Sequence, residues 1–496
     1  MGNQRMNIAR AKIKIACLGL IVGLLGLGFN LAGESAQASA IALQACQFQE
    51  SNAVTRLILQ LNGLPKDLSI YDQPGHAMSL SFHGSVKGEK LPLTHHFNWP
   101  NLSGVTIESR QGKVNVFIRR NMTGTVSVGT EGNRVVITIP HYYYKVNNHQ
   151  EISDGVRYMR FTERSPQGPV QVNVLEIDPH HPGLEVSPAL AANRMGAKNN
   201  VANIVANHQA LAGINGSFFK QDKGIPLGMM MINQELISGP IYDRVALGIT
   251  PNNDLVMSRI RLAGEIVMPD GRKLPLHNIN QPRIRPDATV VYSSRWGAMS
   301  PSMPARGMQV QIRNNHVSMV STTTPLPIPK DGVVISGVVS PELSRLASLS
   351  PNLFVQLNIY TMPDWSGMKH AIGGGPWLLH GGQPFVDMGA QHFTSRSLGF
   401  REPRSAVGIT ADGKMLLVTV DGRQKHVSVG MTLYELAYLM QKLGAVDAMN
   451  LDGGSSTQMS INGRIVNRPS AGNVGVSNSL LIRKTSGDSV AAVRTL

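Results

Sequence analysis

Val54-Thr55-Arg56-Leu57-Ile58-Leu59-Gln60-Leu61 mixes β-branched and long apolar residues with polar ones at close to a two-residue period. At that spacing, successive side chains of an extended chain face opposite sides of a sheet. Lys113-Val114-Asn115-Val116-Phe117-Ile118 and Arg134-Val135-Val136-Ile137-Thr138-Ile139-Pro140 repeat the pattern. Short strands parted by Gly and Asn-Gly breaks, with no helical period over about 50–140, predict a β-sandwich of antiparallel strands. The fold class expected for the whole chain is α+β, mostly β, with an N-terminal β-sandwich followed by a larger mixed α+β domain.

At 496 residues the chain exceeds what one hydrophobic core usually supports, so two or more domains are expected. Hydrophobic residues make up 42% and charged residues only 16%, which leaves ample apolar surface to bury, and 50 Gly with 29 Pro fit a chain of many turns. Lys and Arg outnumber Asp and Glu by 46 to 31, a net charge of +15. That excess favours an anionic partner such as phosphate, acidic glycan or a membrane surface. Nucleic acid fits the charge alone. Aromatic residues are only 5% and the N-terminus is that of an exported chain, so no nucleic acid is expected.

Arg5, Arg10, Lys12 and Lys14 precede an apolar run over 15–31, and Ala38-Ser39-Ala40 offers a small-residue cleavage site. This is the layout of a secretory signal peptide, and the run is also long enough to stay as a membrane anchor. Residues 1–40 are therefore expected to direct export to the periplasm, cell envelope or extracellular space, either cleaved or retained. Removing them leaves about +12. Of the two cysteines, Cys17 lies in the leader, so Cys46 has no partner within the mature chain. Stability must then come from core burial, and a disulfide scaffold or cysteine zinc site is excluded.

Residues 47–140 resemble an AMIN-type domain, a β-sandwich of bacterial envelope proteins associated with binding cell-wall polymers. The resemblance implies an anionic cell-wall polymer as a partner of this part. The polar stretch at 141–155, with Asn147-Asn148-His149-Gln150 at its centre, reads as a linker to a domain over 156–485, and 486–496 as a tail. The second domain opens on a strand, Val170 to Ile177, followed by a helix over roughly 201–211 that runs into Ala212-Gly213-Ile214-Asn215-Gly216-Ser217-Phe218-Phe219. Its clearest helix is late. Thr432-Leu433-Tyr434-Glu435 forms a capping box, Leu433, Leu436, Ala437, Met440 and Leu443 recur at helical spacing, and Gly444 ends the element. That apolar stripe is core, and it delivers the chain to Asn450-Leu451-Asp452-Gly453-Gly454-Ser455-Ser456-Thr457, where a carboxylate and an amide sit in a glycine-serine loop.

Five ordered segments resemble the motifs of the phosphodiester glycosidase family, over about residues 155 to 485. They are Ile214-Asn215-Gly216-Ser217-Phe218-Phe219; Gly373-Gly374-Gly375-Pro376-Trp377-Leu378-Leu379; Arg404-Ser405-Ala406-Val407-Gly408 through Val420-Asp421-Gly422-Arg423; Leu451-Asp452-Gly453-Gly454-Ser455-Ser456-Thr457; and Asn467-Arg468-Pro469-Ser470. Ser217 stands where the family commonly has a second glycine. The resemblance implies a catalytic domain that hydrolyses a sugar-1-phosphodiester at its glycosidic bond, on a phosphorylated glycan or glycolipid. No cofactor is implied.

The residues themselves suit that chemistry. Arg404 and Arg423 offer planar, permanently charged forks for a phosphate, with solvated surface or an ion pair to nearby Glu402 as the alternative. Asp452 and Asp421 are the candidate carboxylates. A phosphate monoester, with a second pKa of about 6, departs with little acid help, so one carboxylate suffices, and the open Gly-Gly-Ser-Ser context favours Asp452. Asp421-Gly422 has an ordinary turn as its alternative reading. Asn450 and Asn215 could bond sugar hydroxyls or cap turns. Gly374, Gly453 and Gly454 would allow close backbone approach to phosphate, with Ser455 and Ser456 beside them. His95-His96 and His180-His181 do not suggest a metal, because adjacent residues of an extended chain face apart. A serine nucleophile is disfavoured, since no Gly-x-Ser-x-Gly elbow is present. A non-catalytic envelope protein that binds phosphorylated polysaccharide during exopolysaccharide assembly is the alternative of a different class.

Overall fold

The computed structural model describes residues 40–485 apart from 52–53, 74–76, 88–92, 100–101, 120–125, 141–142, 166, 193 and 394–398. The expected leader up to residue 39 and the tail at 486–496 lie outside the described residues. Strands dominate the fold, which is α+β and mostly β. Three α-helices occur among the described residues, α1 (Val201–Asn207), α2 (Pro341–Ala347) and α3 (Leu433–Lys442).

The N-terminal part is a sandwich of two five-stranded sheets. In one, Val54–Leu61 lies between Ala42–Glu50 and Arg134–Pro140, with Ile58 opposite Gln47 and Val136. The other holds Ala77–His83, Lys113–Arg119 and Leu102–Arg110 as its central strands. Leu57, Leu59 and Leu61 from the first sheet meet Leu80, Phe82, Val114 and Val116 from the second in one core. Alternate residues of each strand point into that core, the physical origin of the two-residue period.

An eight-stranded sheet frames the rest. Its order is Tyr143–Ser153, Val156–Ser165, Gly168–Ile177, Met415–Val420, Arg404–Thr410, Ala445–Asn450, Trp377–His380, Gln383–Pro384. On one face Leu175, Ile177, Leu417 and Met449 pack against Val186, Ile214, Leu480 and Ile482 of a five-stranded sheet. On the other, Val172, Val174, Leu416 and Val418 pack against Leu433, Leu436, Ala437 and Met440 of α3. Covered on both faces, Met415–Val420 is buried at all six positions and is apolar throughout except for Thr419. Helix α1 covers the far side of the five-stranded sheet through Val201, Ile204 and Val205. It is shorter than expected, because His208 caps it and Gln209, at φ +50°, turns the chain toward the strand Ala212–Asn215.

The expected linker is different. Residues 143–153 form the edge strand of the eight-stranded sheet, in register from Tyr143 opposite Arg164 to Ser153 opposite Val156. An edge strand has one margin open to water and tolerates polar residues, so Asn148-His149-Gln150 reads as loop yet builds sheet.

The capping box of α3 is complete: Thr432 Oγ1 accepts from the Glu435 amide at 3.3 Å, and the Glu435 carboxylate accepts from the Thr432 amide at 2.9 Å. Glu435 is buried and its other oxygen pairs with Arg401, which also donates to the Gly430 carbonyl at 2.9 Å. One carboxylate thus closes the helix start and ties it to the strand entering at Arg404. Thr432→Ala should cost about 1 kcal/mol, the ordinary loss of an N-cap. Glu435→Ala should cost about 3 kcal/mol, because it also strands a guanidinium. Urea denaturation of the two variants checks the order, and equal losses would show that the ion pair contributes nothing.

Candidate active site

Helix α3 ends at Gly444, whose φ of +94° reverses the chain into the strand Ala445–Asn450. Leu451, fully buried, seals the loop to the core, and the next residue, Asp452, enters a cleft. Backbone bonds fix the path: Leu451 N donates to Ser405 O at 2.8 Å, Asp452 N to Gly216 O at 3.1 Å and Gly454 N to Pro403 O at 2.8 Å. Both glycines are required here. A Cβ at Gly453 would stand 2.9 Å from the Pro403 carbonyl oxygen, and Gly454 has a φ of +61°.

The cleft has a volume of about 420 Å³ and is lined by Asp452 through Ser456, by Glu402, Arg404 and Arg423, and by Phe218, Arg244 and Phe393. Burial pushes the Asp452 carboxyl up to about 6, against the opposing pull of hydrogen bonds from the Ser456 side chain and from the Gly453 amide at 3.0 Å. A carboxylate poised this way changes charge near neutrality, a property of groups that do proton or charge work.

Three arginines face the same space. Arg404 is buried, its Nε bonds the Met431 carbonyl at 2.9 Å, and burial pushes its pKa down to about 10 despite Glu402 and Glu435. Arg423 is exposed and donates to Glu402 at 2.5 Å and to Ser455 Oγ at 3.3 Å, so the pairing that Glu402 suggested is made with Arg423. Arg244, which has no motif around it, is a charged cleft side chain that sequence reading missed. Its guanidinium stacks on Phe393 at 3.8 Å from the ring centroid, and it donates to the carbonyls of Gln391 at 3.2 Å and His392 at 3.4 Å. Burial lowers its pKa to about 10. Among the described residues no carboxylate forms an ion pair with it, so its charge is set against carbonyls and an aromatic ring, surroundings in which a guanidinium can accept an anion.

The other sequence candidates stand behind the cleft wall. Asp421 is buried, and its oxygens accept from Asn467 Nδ2 at 2.9 Å and from the Arg468 amide at 3.0 Å. It fixes the loop at 467–468, and its pKa is raised to about 6 by burial against those bonds. Asn450 donates to the carbonyls of Gly375 at 3.0 Å and Leu451 at 2.6 Å. Asn215 donates to the Asp452 carbonyl at 2.6 Å and accepts from Ser405 Oγ at 2.7 Å and the Gln458 amide at 3.1 Å. Gly374 is packed so closely that a Cβ would meet the Asn450 carbonyl oxygen at 2.6 Å. These four shape the site and do not line it. Among the paired histidines, His95 stacks on Phe48 and His180 bonds Asp254.

The phosphodiester glycosidase family model matches residues 306–483, which include four of the five motif segments and leave Ile214–Phe219 outside. Over 106 residues the chain is 35% identical to the SPbeta prophage-derived uncharacterized protein YomE of Bacillus subtilis (strain 168), covering 21% of this chain and 16% of that protein. Over 153 residues it is 28% identical to the N-acetylglucosamine-1-phosphodiester alpha-N-acetylglucosaminidase of Mus musculus, covering 29% of this chain and 26% of that one. The chain thus spans no more than about a quarter of the length of these relatives. In three dimensions it is similar to a hypothetical protein from Synechocystis, with a TM-score of 0.63 and 21% identity over 90% of this chain and 81% of the other, a likeness of fold.

Two outcomes follow from the charges. Inorganic phosphate should bind the wild type, and Arg244→Ala should weaken it about tenfold while Asp421→Asn leaves it unchanged, as read by calorimetric titration. Asp452 is protonated in the folded state up to about pH 6 but in the unfolded chain only to about 3.8. Its contribution to stability is complete below the lower value and lost as pH rises through the higher. Asp452→Asn, which cannot ionise, should therefore gain on the order of 2 kcal/mol over wild type at pH 8 and nothing at pH 3.5, by urea midpoints.

Proposed function

We propose, from the match of residues 306–483 to the phosphodiester glycosidase family, that this protein is an exported hydrolase that cleaves the glycosidic bond of sugar-1-phosphodiesters in envelope or extracellular glycans. The observation that carries the proposal is one partly buried carboxylate, Asp452, sharing a cleft with Arg244, Arg404 and Arg423.

In the reaction the C1–O bond breaks and its electron pair leaves with the phosphate oxygen. Water supplies the hydroxyl that C1 keeps, so the products are a free sugar and a phosphate monoester. Positive charge builds at C1 and negative charge at the departing oxygen. Asp452, ionised above about pH 6, stabilises the oxocarbenium-like centre or takes the proton of the attacking water. The arginines take the leaving charge, and the burial of Arg404 and partial burial of Arg244 strengthen that attraction because little water screens it. The monoester leaves without general acid help, which is why a second free carboxylate is not needed. Glu402 lines the cleft, and its pairing with Arg423 gives it the role of orienting that guanidinium.

The N-terminal sandwich, in this proposal, holds the enzyme on anionic cell-wall polymer. On it, Phe48, His95 and Phe97 form a partly exposed cluster with ring centroids 4.4 and 4.5 Å apart, a surface on which a sugar ring could stack.

The test is release of free sugar from the methyl phosphodiester of N-acetylglucosamine-1-phosphate. Wild type should release it with kcat/KM rising as pH increases through about 6, because only the ionised carboxylate acts. Asp452→Asn, folded by circular dichroism, should lose on the order of 100-fold or more. Full activity in that variant would remove Asp452 from the mechanism. Binding of phosphorylated glycan with no release from a panel of sugar phosphodiesters would favour a non-catalytic envelope protein.

A further inference from the structure

A second cavity, of about 550 Å³, lies beside the candidate active site, and His392 lines both. Its size falls within the roughly 300–1,000 Å³ usual for small-ligand sites. A ridge of Tyr242, Arg244, His392 and Phe393 stands between them. The guanidinium of Arg244 sits 3.8 Å from the Phe393 centroid and 5.2 Å from that of Tyr242, and the rings of Tyr242 and His392 are 5.5 Å apart. Tyr242, Asp243 and His392 all have positive φ, at 54°, 52° and 55°, a conformation that costs free energy in residues with a side chain.

The charge of this cavity is unbalanced. Three arginines, Arg259, Arg261 and Arg285, line it against a single carboxylate, Asp243. Arg259 is spent on the fold: it donates to the carbonyls of Asp243 and Ala390, each at 3.0 Å, and pairs with the Asp243 carboxylate at 3.0 Å. Arg261 reaches the same carboxylate oxygen at 2.9 Å, so two cations share one negative charge. Arg285 pairs at 3.5 Å with Asp287, which lies outside the lining, and the two side chains are 58% and 74% exposed. A pair that open to water contributes little and leaves its guanidinium available. His277 adds a neutral donor. Its Nδ1 accepts from the Thr289 amide at 3.0 Å, which places the ring proton on Nε2, and desolvation with the nearby Arg285 cation holds its pKa below the usual histidine range.

We infer that this cavity is a second anion site, which takes a phosphate group through Arg261, Arg285 and His277 and is separate from the anion site at Arg244. Donors from three segments suit the tetrahedral oxygens of a phosphate better than a planar carboxylate, and guanidinium forks are the usual means of gripping them. A neutral ligand, polar or aliphatic, would leave the excess of two positive charges in the lining unanswered. The site stands whether or not the cleft hydrolyses a glycosidic bond, because its charge and its donors belong to this cavity. Its phosphate is either a free anion or a further group on the chain whose first phosphate sits at Arg244.

Calorimetric titration of the full chain with inorganic phosphate is the test, and wild type should take up two phosphates. The double variant Arg261→Ala, Arg285→Ala should keep the event that Arg244→Ala weakens, which also shows that it folds, and lose affinity about tenfold or more in the other. Acetate at equal concentration should leave that second event in place. One phosphate per chain in wild type, a second event unchanged in the double variant, or displacement by acetate would each overturn the site. A decane chain bearing a phosphate at each end separates the two sources. Uptake of one molecule, tighter than phosphate and weakened both by Arg244→Ala and by the double variant, places the two phosphates on one chain. Uptake of two molecules, each answering to its own arginines, makes them separate anions, and either result upholds the site.

Discussion

The side chain of Asn215 is the constraint on which the site depends. It is wholly buried, and its one amide joins three segments that are far apart in sequence. It donates to the carbonyl of Asp452 and accepts from the Ser405 hydroxyl and the Gln458 amide. Its own backbone amide adds a bond to the Gln458 carbonyl at 3.1 Å. These contacts bridge the two packed sheets at the point where both release a loop into the cleft. An apolar side chain of similar size would fill the space and leave three buried polar groups unpaired, a cost of about 1–3 kcal/mol for each. The carboxylate of Asp452 is therefore positioned by an amide that does not itself line the cleft, and rigid placement of this kind is what electrostatic catalysis requires.

Around that pin the charges are set against ordinary solvation. Asp452 is held where ionisation is disfavoured, and Arg244 and Arg404 where their charge is disfavoured too. Each group on its own would be more stable in water. An anion in the cleft removes part of the cost for the arginines. On the proposed reading, that relief is what favours binding of a phosphodiester. Arg423 differs: it is exposed and already paired with Glu402, so it adds orientation more than attraction.

The fold was legible where burial has a period. Val54–Leu61 and its sister strands announce a sandwich, and the capping box at Thr432 announces α3, because in both cases local pattern and tertiary packing agree. The edge strand at 143–153 was hidden, since a strand wetted along one margin keeps a polar composition. In the site, Asp452, Gly453, Gly454, Ser455, Ser456, Arg404 and Arg423 come together as their motifs imply, with Asn215, Asn450, Gly374 and Asp421 one layer behind. Sequence could not separate the layers. A polar side chain beside a glycine is needed equally where the chain must receive a ligand and where two loops must pack with no room for a Cβ. Arg244 was invisible for the opposite reason. It follows Tyr242-Asp243 in an unremarkable turn, and only the fold brings Phe393 under its guanidinium and leaves it facing carbonyls. The available hint was compositional: an arginine with an aromatic two residues before it, at the mouth of the buried strand Val245–Ile249.

That arrangement explains how the fold tolerates so much unfavourable electrostatics and strain at one place. The sheet carrying Arg404 and leading to Asp452 is covered on one face by a second sheet and on the other by α3, so its core burial does not depend on the cleft. The tie from α3 to the cleft runs through Glu435 and Arg401, one residue before Glu402 and three before Arg404, where the strand begins. Helix docking, which is favourable for apolar reasons, thereby fixes the strand end on which two of the cleft's charged groups stand. Loosening that docking would let Arg404 relax toward water and Glu402 release Arg423. The apolar stripe of α3, although no part of it reaches the cleft, supplies the free energy that keeps the charged groups where water would not leave them.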